Sequence, residues 1–494
     1  MSASAPNLLF ITTDQQRSDA LGVARQYDGA PEHPVLRTPA LDWIATSGTR
    51  FEGAYAEAPV CIPARRTMMT GLTPASHGVP GFKDVPLRFP TLAGRLRDAG
   101  YQTALCGKLH LWPHRCRYGF EEFHWQDGPG ASPEEADGDY LRHLAGLGLL
   151  GDQSAHGIAG ESSVVRTWHL EERYHVANWT ADRAVDFLAR RDPTRPFFLN
   201  VNFFHPHPPI TPPSFYADRY LRLAQDRPEV FTRRTTASWS DDPGAQRRGN
   251  RWNATRAVPD DDVLLELRAF YWAQINHVDD QIQRVLTAVD RSVGFGNTMV
   301  VFTSDHGEML GDHGFMRKRL PYEPSARVPM LVKPPEAWGI AGGEVRDELV
   351  GLQDVMPTLL DAAGVEAGTI DGRSLLPLCR GEAEDWRTRL HGECSATQAF
   401  DTPTGMQYLV ADLSDGQRWK LCHFPGHGRQ QLFNLTNDPE ERNDVSDDPD
   451  RAVVRDGLVG RLVARLADRP EDFVVGGQLA QVDGNTTDVL PSCA

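Results

Sequence analysis

Two kinds of apolar pattern alternate along the chain. Asn7 to Thr12 is apolar without period-2 polarity, the mark of a strand covered on both faces, and Asp14 stands just past its C-terminal end. Helical spacing follows over Thr38 to Thr46, then an extended segment over Thr49 to Tyr55 and a helix-forming stretch over Ala64 to Met69. Next come a helix over Thr91 to Asp98 and a strand over Gln102 to Cys106. The amphipathic stretch Asn178 to Arg190 runs through a polar, Pro-containing turn into the apolar strand Pro196 to Phe203. A longer helical stretch, Asp260 to Val289, leads to the strand Thr298 to Thr303. Helix and strand in alternation predict an α/β fold, a mainly parallel sheet sandwiched by helices. In such sheets ligands gather at the carboxyl ends of the strands.

Two polar stretches bearing Gly and Pro, Asp127 to Val164 and Tyr220 to Asp262, interrupt the rhythm and read as excursions over the strand ends. Beyond Arg380 the pattern changes to short strands between turns, Tyr408 to Ala411, Arg418 to His423 and Gln431 to Asn434, and then a helix from Ala452 to Leu466. The expected division is a large α/β domain over 1–380 and a small α+β domain over 381–494. The tail beyond Gly476 reads as weakly ordered.

The 494 residues, 40% hydrophobic and 24% charged, suffice for these two domains. Seven cysteines, at 61, 106, 116, 379, 394, 422 and 493, form an odd, scattered set without a C-x-x-C pair, which argues against a disulfide framework or a zinc knuckle. A formal net charge of −16 disfavours nucleic acid and anionic membranes as partners. It also repels anions globally, so any anion site has to be built from a local basic cluster. Met1 to Gln16 carries only the short apolar run Leu8 to Ile11, with no basic flank or cleavage site, and reads as a strand rather than a signal peptide. No stretch approaches the roughly 18 apolar residues of a membrane span. A cytoplasmic location is the expectation.

Chemistry concentrates first at Cys61, followed by Ile62, Pro63, Ala64, Arg65, Arg66, Thr67, Met68, Met69, Thr70 and Gly71. The sulfur would sit at a helix N-terminus, where anions are favoured. Pro63 sets the first turn, and Arg65 lies one turn on, able to return to the same place. The run resembles the signature of the sulfatases within the alkaline phosphatase superfamily, C-x-P-(Ser/Ala)-R followed by x-x, two apolar residues and Thr-Gly; only Ile62 departs from the commoner small residue. In that family the cysteine is oxidised after translation to formylglycine, whose aldehyde hydrate is the nucleophile. The resemblance makes Cys61 a precursor and implies a formylglycine-generating enzyme as a partner.

Strand ends supply hard ligands. Thr298 to Thr303 terminates in Ser304, Asp305, His306 and Gly307, and Asn7 to Thr12 in Thr13, Asp14 and Gln15. Asp305 and His306 would point oppositely on a regular strand, but Gly307 permits a turn that lets both face one ion. The resemblance implies one divalent cation, calcium first and manganese second, held by Asp14, Gln15, Asp305, His306 and residue 61. Gln15 stands where the family usually has a second aspartate; a similar Asp-Gln occurs in phosphonate monoester hydrolase, and Asp-His in place of Asp-Asn points the same way.

Three further constellations match the family in order. Gly107, Lys108, Leu109 and His110 follow the strand Gln102 to Cys106; His205 and His207 lie in the Pro-rich run Phe204 to Pro209, where the pattern P-H-x-P selects His207; and Gly311 to Arg327 carries Lys318. Arg317 and Arg319 beside it read as solvated charges. Leu432 to Glu440 resembles the segment that commonly closes sulfatases, which extends the likeness over nearly the whole chain.

The implied catalytic set is Cys61, Arg65, Lys108, His110, His207 and Lys318, and the implied reaction is hydrolysis of a sulfuric ester of a small molecule or saccharide. A phosphonate monoester or phosphodiester hydrolase using the same residues is the close alternative. A two-zinc alkaline phosphatase and an inert anion-binding relative are the other classes weighed. Trp125, Trp168, Trp239 and Trp252 stand in the excursions or near them as candidate ring-stacking residues, packing anchors in the plainer reading. Homo-oligomerisation is left open.

Overall fold

The computed structural model describes residues 5–26, 29–128, 138–158, 162–237, 259–395, 405–426 and 428–482. Trp239, Trp252, Cys493 and the tail from 483 lie outside the described residues. Among the described residues ten strands build the N-terminal part: β1 (Asn7–Asp14), β2 (Thr49–Phe51), β3 (Ala54–Tyr55), β4 (Gln102–Gly107), β5 (Glu122–Trp125), β6 (Phe197–Pro206), β7 (Thr298–Ser304), β8 (Met330–Lys333), β9 (Glu344–Arg346) and β10 (Val350–Gly351). Eight of them form one sheet in the order β5-β4-β6-β1-β7-β8-β2-β9. The first five in that order run parallel, and β8 is antiparallel to β7 and β2.

The central strands carry mostly apolar residues on both faces because both faces are covered. In β1, Leu8 and Phe10 join one core with Phe198, Met299 and Val301. Leu9 and Ile11 join the other with Phe197, Leu199, Val201, Val300 and Phe302. Alternate residues thus anchor opposite layers, and each such side chain contributes about 1.5–3 kcal/mol on burial. The helix Asp261–Ser292 backs the second core with Val278, Ile282, Val285, Leu286 and Val289.

Three departures from the sequence reading have local causes. The extended segment Thr49 to Tyr55 splits into β2 and β3, because Gly53 lies so close to the Glu348 carbonyl that a Cβ there would stand 2.6 Å from it. β3 leaves the main sheet and pairs with β10 (Val350–Gly351). The first excursion contains the helix Asp139–Gly146, and the helix Ser214–Asp226 runs into the second. In the latter only Tyr216, Ala217, Tyr220 and Ala224 are buried, so polar residues outnumber the apolar stripe that carries the signal. Trp125 and Trp168 are buried packing anchors. Among the described residues no helix is long and apolar enough to cross a membrane, and the six described cysteines are free thiols.

The C-terminal sheet is antiparallel: β11 (Arg389–Cys394), β12 (Met406–Asp412), β13 (Arg418–Phe424) and β14 (Arg429–Asn434), with the helix Ala452–Leu466 against it. A buried ionic knot joins it to the larger part. Lys420 on β13 donates to Glu323 Oε1 at 2.6 Å, to Glu441 Oε1 at 2.8 Å and to the Pro321 carbonyl at 2.8 Å. Tyr55 Oη donates to the same Glu323 oxygen at 2.9 Å. Burial pushes the Glu441 carboxyl up to about 7, against the pull of Lys420.

Replacing Lys420 with Met leaves two buried acids without their cation, and urea unfolding should show a loss of about 3–5 kcal/mol. An unchanged midpoint would remove the knot's claim to hold the two parts together.

Candidate active site

Strand order decides which residues meet. β4, β6, β1 and β7 are consecutive and parallel, so the segments leaving their carboxyl ends (Lys108 to His110, His205 to His207, Asp14–Gln15 and Asp305–His306) converge on one side of the sheet. The helix Cys61–Thr70 points its N-terminus into that convergence. All ten of its residues are buried, Arg65 and Arg66 included, and it stops at Gly71 in the left-handed region. Its N-cap, Val60, offers no side-chain acceptor, so the first-turn amides keep their positive end for the site.

An ionic chain ties these parts together. Arg65 Nε donates to Asp305 Oδ2 at 2.9 Å and Nη1 to the Lys108 carbonyl at 3.0 Å, while Nη2 lies 3.5 Å from Asp14 Oδ2. Lys108 Nζ is 2.6 Å from the same Asp14 oxygen. Burial alone would raise the Asp14 carboxyl, but Lys108, His207, Arg65 and His306 together hold it well below the usual carboxylate range. Burial likewise works against charge on Lys108 and Arg65, and the neighbouring acids more than restore it. Arg65, in the implied catalytic set, has its donors turned to the acids and to the backbone of β4's exit.

Each of the two aspartates thus gives Oδ2 to the cations and leaves Oδ1 facing a common point. His306 Nε2 lies 3.6 Å from Asp14 Oδ1, 3.6 Å from Asp305 Oδ1 and 3.2 Å from Cys61 Sγ. His306 Nδ1 is 3.0 Å from the Gly307 carbonyl, an acceptor only, so Nδ1 carries the proton and Nε2 presents its lone pair. Burial keeps the ring neutral by lowering its pKa. Asp14, Cys61, Asp305 and His306 can bring ligand atoms within 4.8 Å of one another, a donor set that fits a divalent cation. Gln15 is fully buried beside them, and its Oε1 accepts from Lys318 Nζ at 2.8 Å.

Lys318 bridges to His207, whose Nε2 lies 2.8 Å from the same Nζ. His207 Nδ1 faces the Pro208 carbonyl at 2.6 Å and carries the ring proton, leaving Nε2 to accept. His205 turns away: its Nδ1 reaches the His207 carbonyl at 3.0 Å and its ring packs on His175. His110 is lowered well below its ordinary pKa by burial and by Lys108 and Arg65. Arg317 and Arg319 are half-buried, with the Arg319 guanidinium over the Phe82 ring, rather than solvated.

Three supporting residues carry no motif. Asp127, beyond β5, accepts from the backbone amides of Leu109 and His110 at 3.2 and 2.9 Å. Tyr271 Oη donates to the Gln15 carbonyl at 2.7 Å. Glu308 takes the Gln15 amide. Of these only Glu308 had a signal, its place directly after Asp305-His306-Gly307.

The Sulfatase family model matches residues 6–365 of this chain. The chain belongs to the sulfatase family. A second model, N-sulphoglucosamine sulphohydrolase, C-terminal, matches residues 311–468. The arylsulfatase of Clostridium perfringens is 35% identical over 491 residues, with 96% of this chain and 97% of that one covered. The multifunctional alkaline phosphatase superfamily protein PehA of Trinickia caryophylli is 30% identical, with 93% and 95% covered. The crystal structure of the phosphonate monoester hydrolase of Agrobacterium radiobacter superposes with a TM-score of 0.71 at 25% identity, covering 94% of this chain and 95% of that one. This sulfatase is therefore a hydrolase of the alkaline phosphatase superfamily, with that superfamily's fold.

Removing a donor from the cluster should weaken its hold on a cation. Asp14→Asn and His306→Gln, each titrated with Mn2+ by calorimetry after chelation, should bind at least about tenfold more weakly than the parent protein. Equal affinities would place the ion elsewhere.

Proposed function

We propose that this sulfatase hydrolyses sulfuric esters with residue 61 as formylglycine and one divalent cation held by Asp14, Gln15, Asp305, His306 and residue 61. One observation carries the reading: Cys61 Sγ, at a helix N-terminus, stands 3.2 Å from His306 Nε2 and 3.8 Å from Asp14 Oδ1 inside the Arg65–Lys108 clasp. In this reading the sulfur marks the place of a hydroxyl of the aldehyde hydrate. Asp14, Asp305 and Glu308 balance Arg65, Lys108 and Lys318 in number, so the charge of the cation is left to receive the ester anion. The nitrogen of His306 favours manganese over calcium, which prefers an all-oxygen shell.

The cation, when bound, supplies a Lewis acid that lowers the pKa of the hydroxyl at residue 61 and polarises the ester oxygens. An aldehyde at 61 supplies, as its hydrate, two hydroxyls on one carbon: one gives its proton to Asp305 and attacks, and the other expels the bound group. Lys108 and Lys318 neutralise the nonbridging oxygens. Arg65 holds the two aspartates in orientation. The Lys318–His207 pair delivers the proton to the leaving alcohol: Lys318 Nζ donates it, and His207 Nε2, which accepts from that ammonium, holds it in place. His110, neutral through its lowered pKa, takes the proton of the second hydroxyl as the carbonyl reforms and the inorganic anion departs. Cys61 is 1% exposed, so the modifying enzyme meets it before the chain closes over it.

The second reading is a phosphonate monoester or phosphodiester hydrolase. Gln15 and the likeness to phosphonate monoester hydrolase favour it; the more identical arylsulfatase favours sulfate. Substrate choice is assigned to the excursions and to the domain proposed over 381–494, in a cytoplasmic setting.

Peptide mass spectrometry of residue 61 after co-expression with a maturation enzyme tests the class: an aldehyde is expected, and an unmodified thiol would sink the mechanism. On converted protein, an aryl sulfate should be cleaved faster than an aryl phosphonate; the reverse order selects the second reading. His207→Ala should lower kcat by about 10^2–10^4, with the larger losses on poorer leaving groups. A loss independent of the leaving group would deny the Lys318–His207 pair the proton delivery.

A further inference from the structure

An amide is an ambiguous ligand. Its oxygen binds a cation and its NH2 does not, and the two exchange by a half-turn of the terminal torsion. At Gln15 the ambiguity is removed from both sides. Lys318 Nζ, which has hydrogens and no lone pair, lies 2.8 Å from Oε1. On the opposite side Nε2 donates to Glu308 Oε2.

Glu308 is itself immobilised. It is 4% exposed, and its Oε1 accepts the backbone amides of Leu310, at 2.9 Å, and of Arg317. The main chain of Gln15 is fixed as firmly: its N–H donates to Asp305 Oδ1 at 3.1 Å, its carbonyl accepts from Tyr271, and its φ is 69°. Every polar atom of Gln15 therefore has a named partner, and on the side chain it is the second lone pair of Oε1 that is left for a ligand.

We propose that Glu308 is a positioning residue that holds the Gln15 amide with its oxygen toward the catalytic cation and Lys318, so that positions 15 and 308 act as one amide–acid pair. The inference rests on the cation site proposed above and deepens it. It assigns the acid of this pair to the outer shell, one residue removed from the ion, where a second aspartate would bring the charge into direct contact.

Glu308→Gln isolates the contact. The new side chain keeps an oxygen for the amides of Leu310 and Arg317, while the atom facing Gln15 changes from acceptor to donor. Two NH2 groups then oppose each other. Mn2+ titrated into the full chain with unmodified Cys61 should bind about 10- to 100-fold more weakly in this variant, the usual range for an outer-shell partner. In the Gln15→Glu background the same substitution should strengthen Mn2+ binding, because the double variant restores an amide–acid pair with the roles exchanged.

A reversal of sign between the two backgrounds is the expected result, and the same sign in both overturns the inference. Should Glu308→Gln fail to fold, Glu308→Asp, which withdraws the carboxylate by one methylene, must still lose affinity; undiminished binding there overturns it equally. Asp14→Asn separates the two levels. If that variant keeps wild-type affinity, the cation site itself has failed; if it loses binding and the sign does not reverse, only the role of Glu308 has.

Discussion

The clasp of Arg65 on Asp305, Asp14 and the Lys108 carbonyl is the contact on which the rest depends. Arg65 and Lys108 are 2% and 1% exposed, and both aspartates are fully buried. Groups so deep keep their charge only when each is paired and its hydrogen bonds are filled. Removing any member leaves an uncompensated buried charge, so the geometry of the strand ends is held by the same energy that makes them chemically useful. The surrounding sheet supplies rigidity, because β1 is covered on both faces and cannot slip by one residue without exchanging its two cores.

Backbone strain is concentrated around this clasp. Gln15, His110, Arg317 and Arg319 all have positive φ, at 69°, 56°, 74° and 77°, and none is a glycine. Such conformations cost of order 1–3 kcal/mol each and persist only where the surroundings over-determine them. Here the surroundings are visible: Tyr271 and Asp305 on Gln15, Asp127 on His110, Glu308 on Arg317, and the Pro59 carbonyl on the amide of Arg319. The two strained residues that bracket Lys318 aim its side chain inward between Gln15 and His207. The ionic knot of Lys420 lies just beyond, so the C-terminal sheet braces the loop that carries Lys318.

Much of this was legible from the chain alone. Apolar runs without polar alternation marked the central strands, and hard ligands directly after two of them marked a site, because parallel strands have only one end at which ligands gather. Cys61, Asp14, Asp305 and His306 were singled out by their places at element boundaries taken together with the resemblance to the sulfatase signature. The helix Ser214–Asp226 could not be read, since its stripe is narrow and its surface polar. The break between β2 and β3 depends on the approach of Glu348, almost three hundred residues away, and no local pattern encodes it. Asp127, Tyr271 and Glu308 act through contacts with backbone or with an amide nitrogen, and residue type alone does not announce such partners. Arg65 reaches Asp14 and Asp305, yet its donors face acids and backbone rather than an open position, a distinction that only packing decides.

The partners at the strand ends are far apart along the chain: 240 residues separate Arg65 from Asp305, 290 separate Gln15 from Asp305, and 303 separate Gln15 from Lys318. High contact order of this kind makes closure a late event in folding. During synthesis the first 304 residues carry Asp14 and Cys61 with neither the acid nor the imidazole that completes their cluster. No length of the growing chain short of Lys318 holds the whole cluster; it comes into being only once the segment from Asp305 to Lys318 has docked.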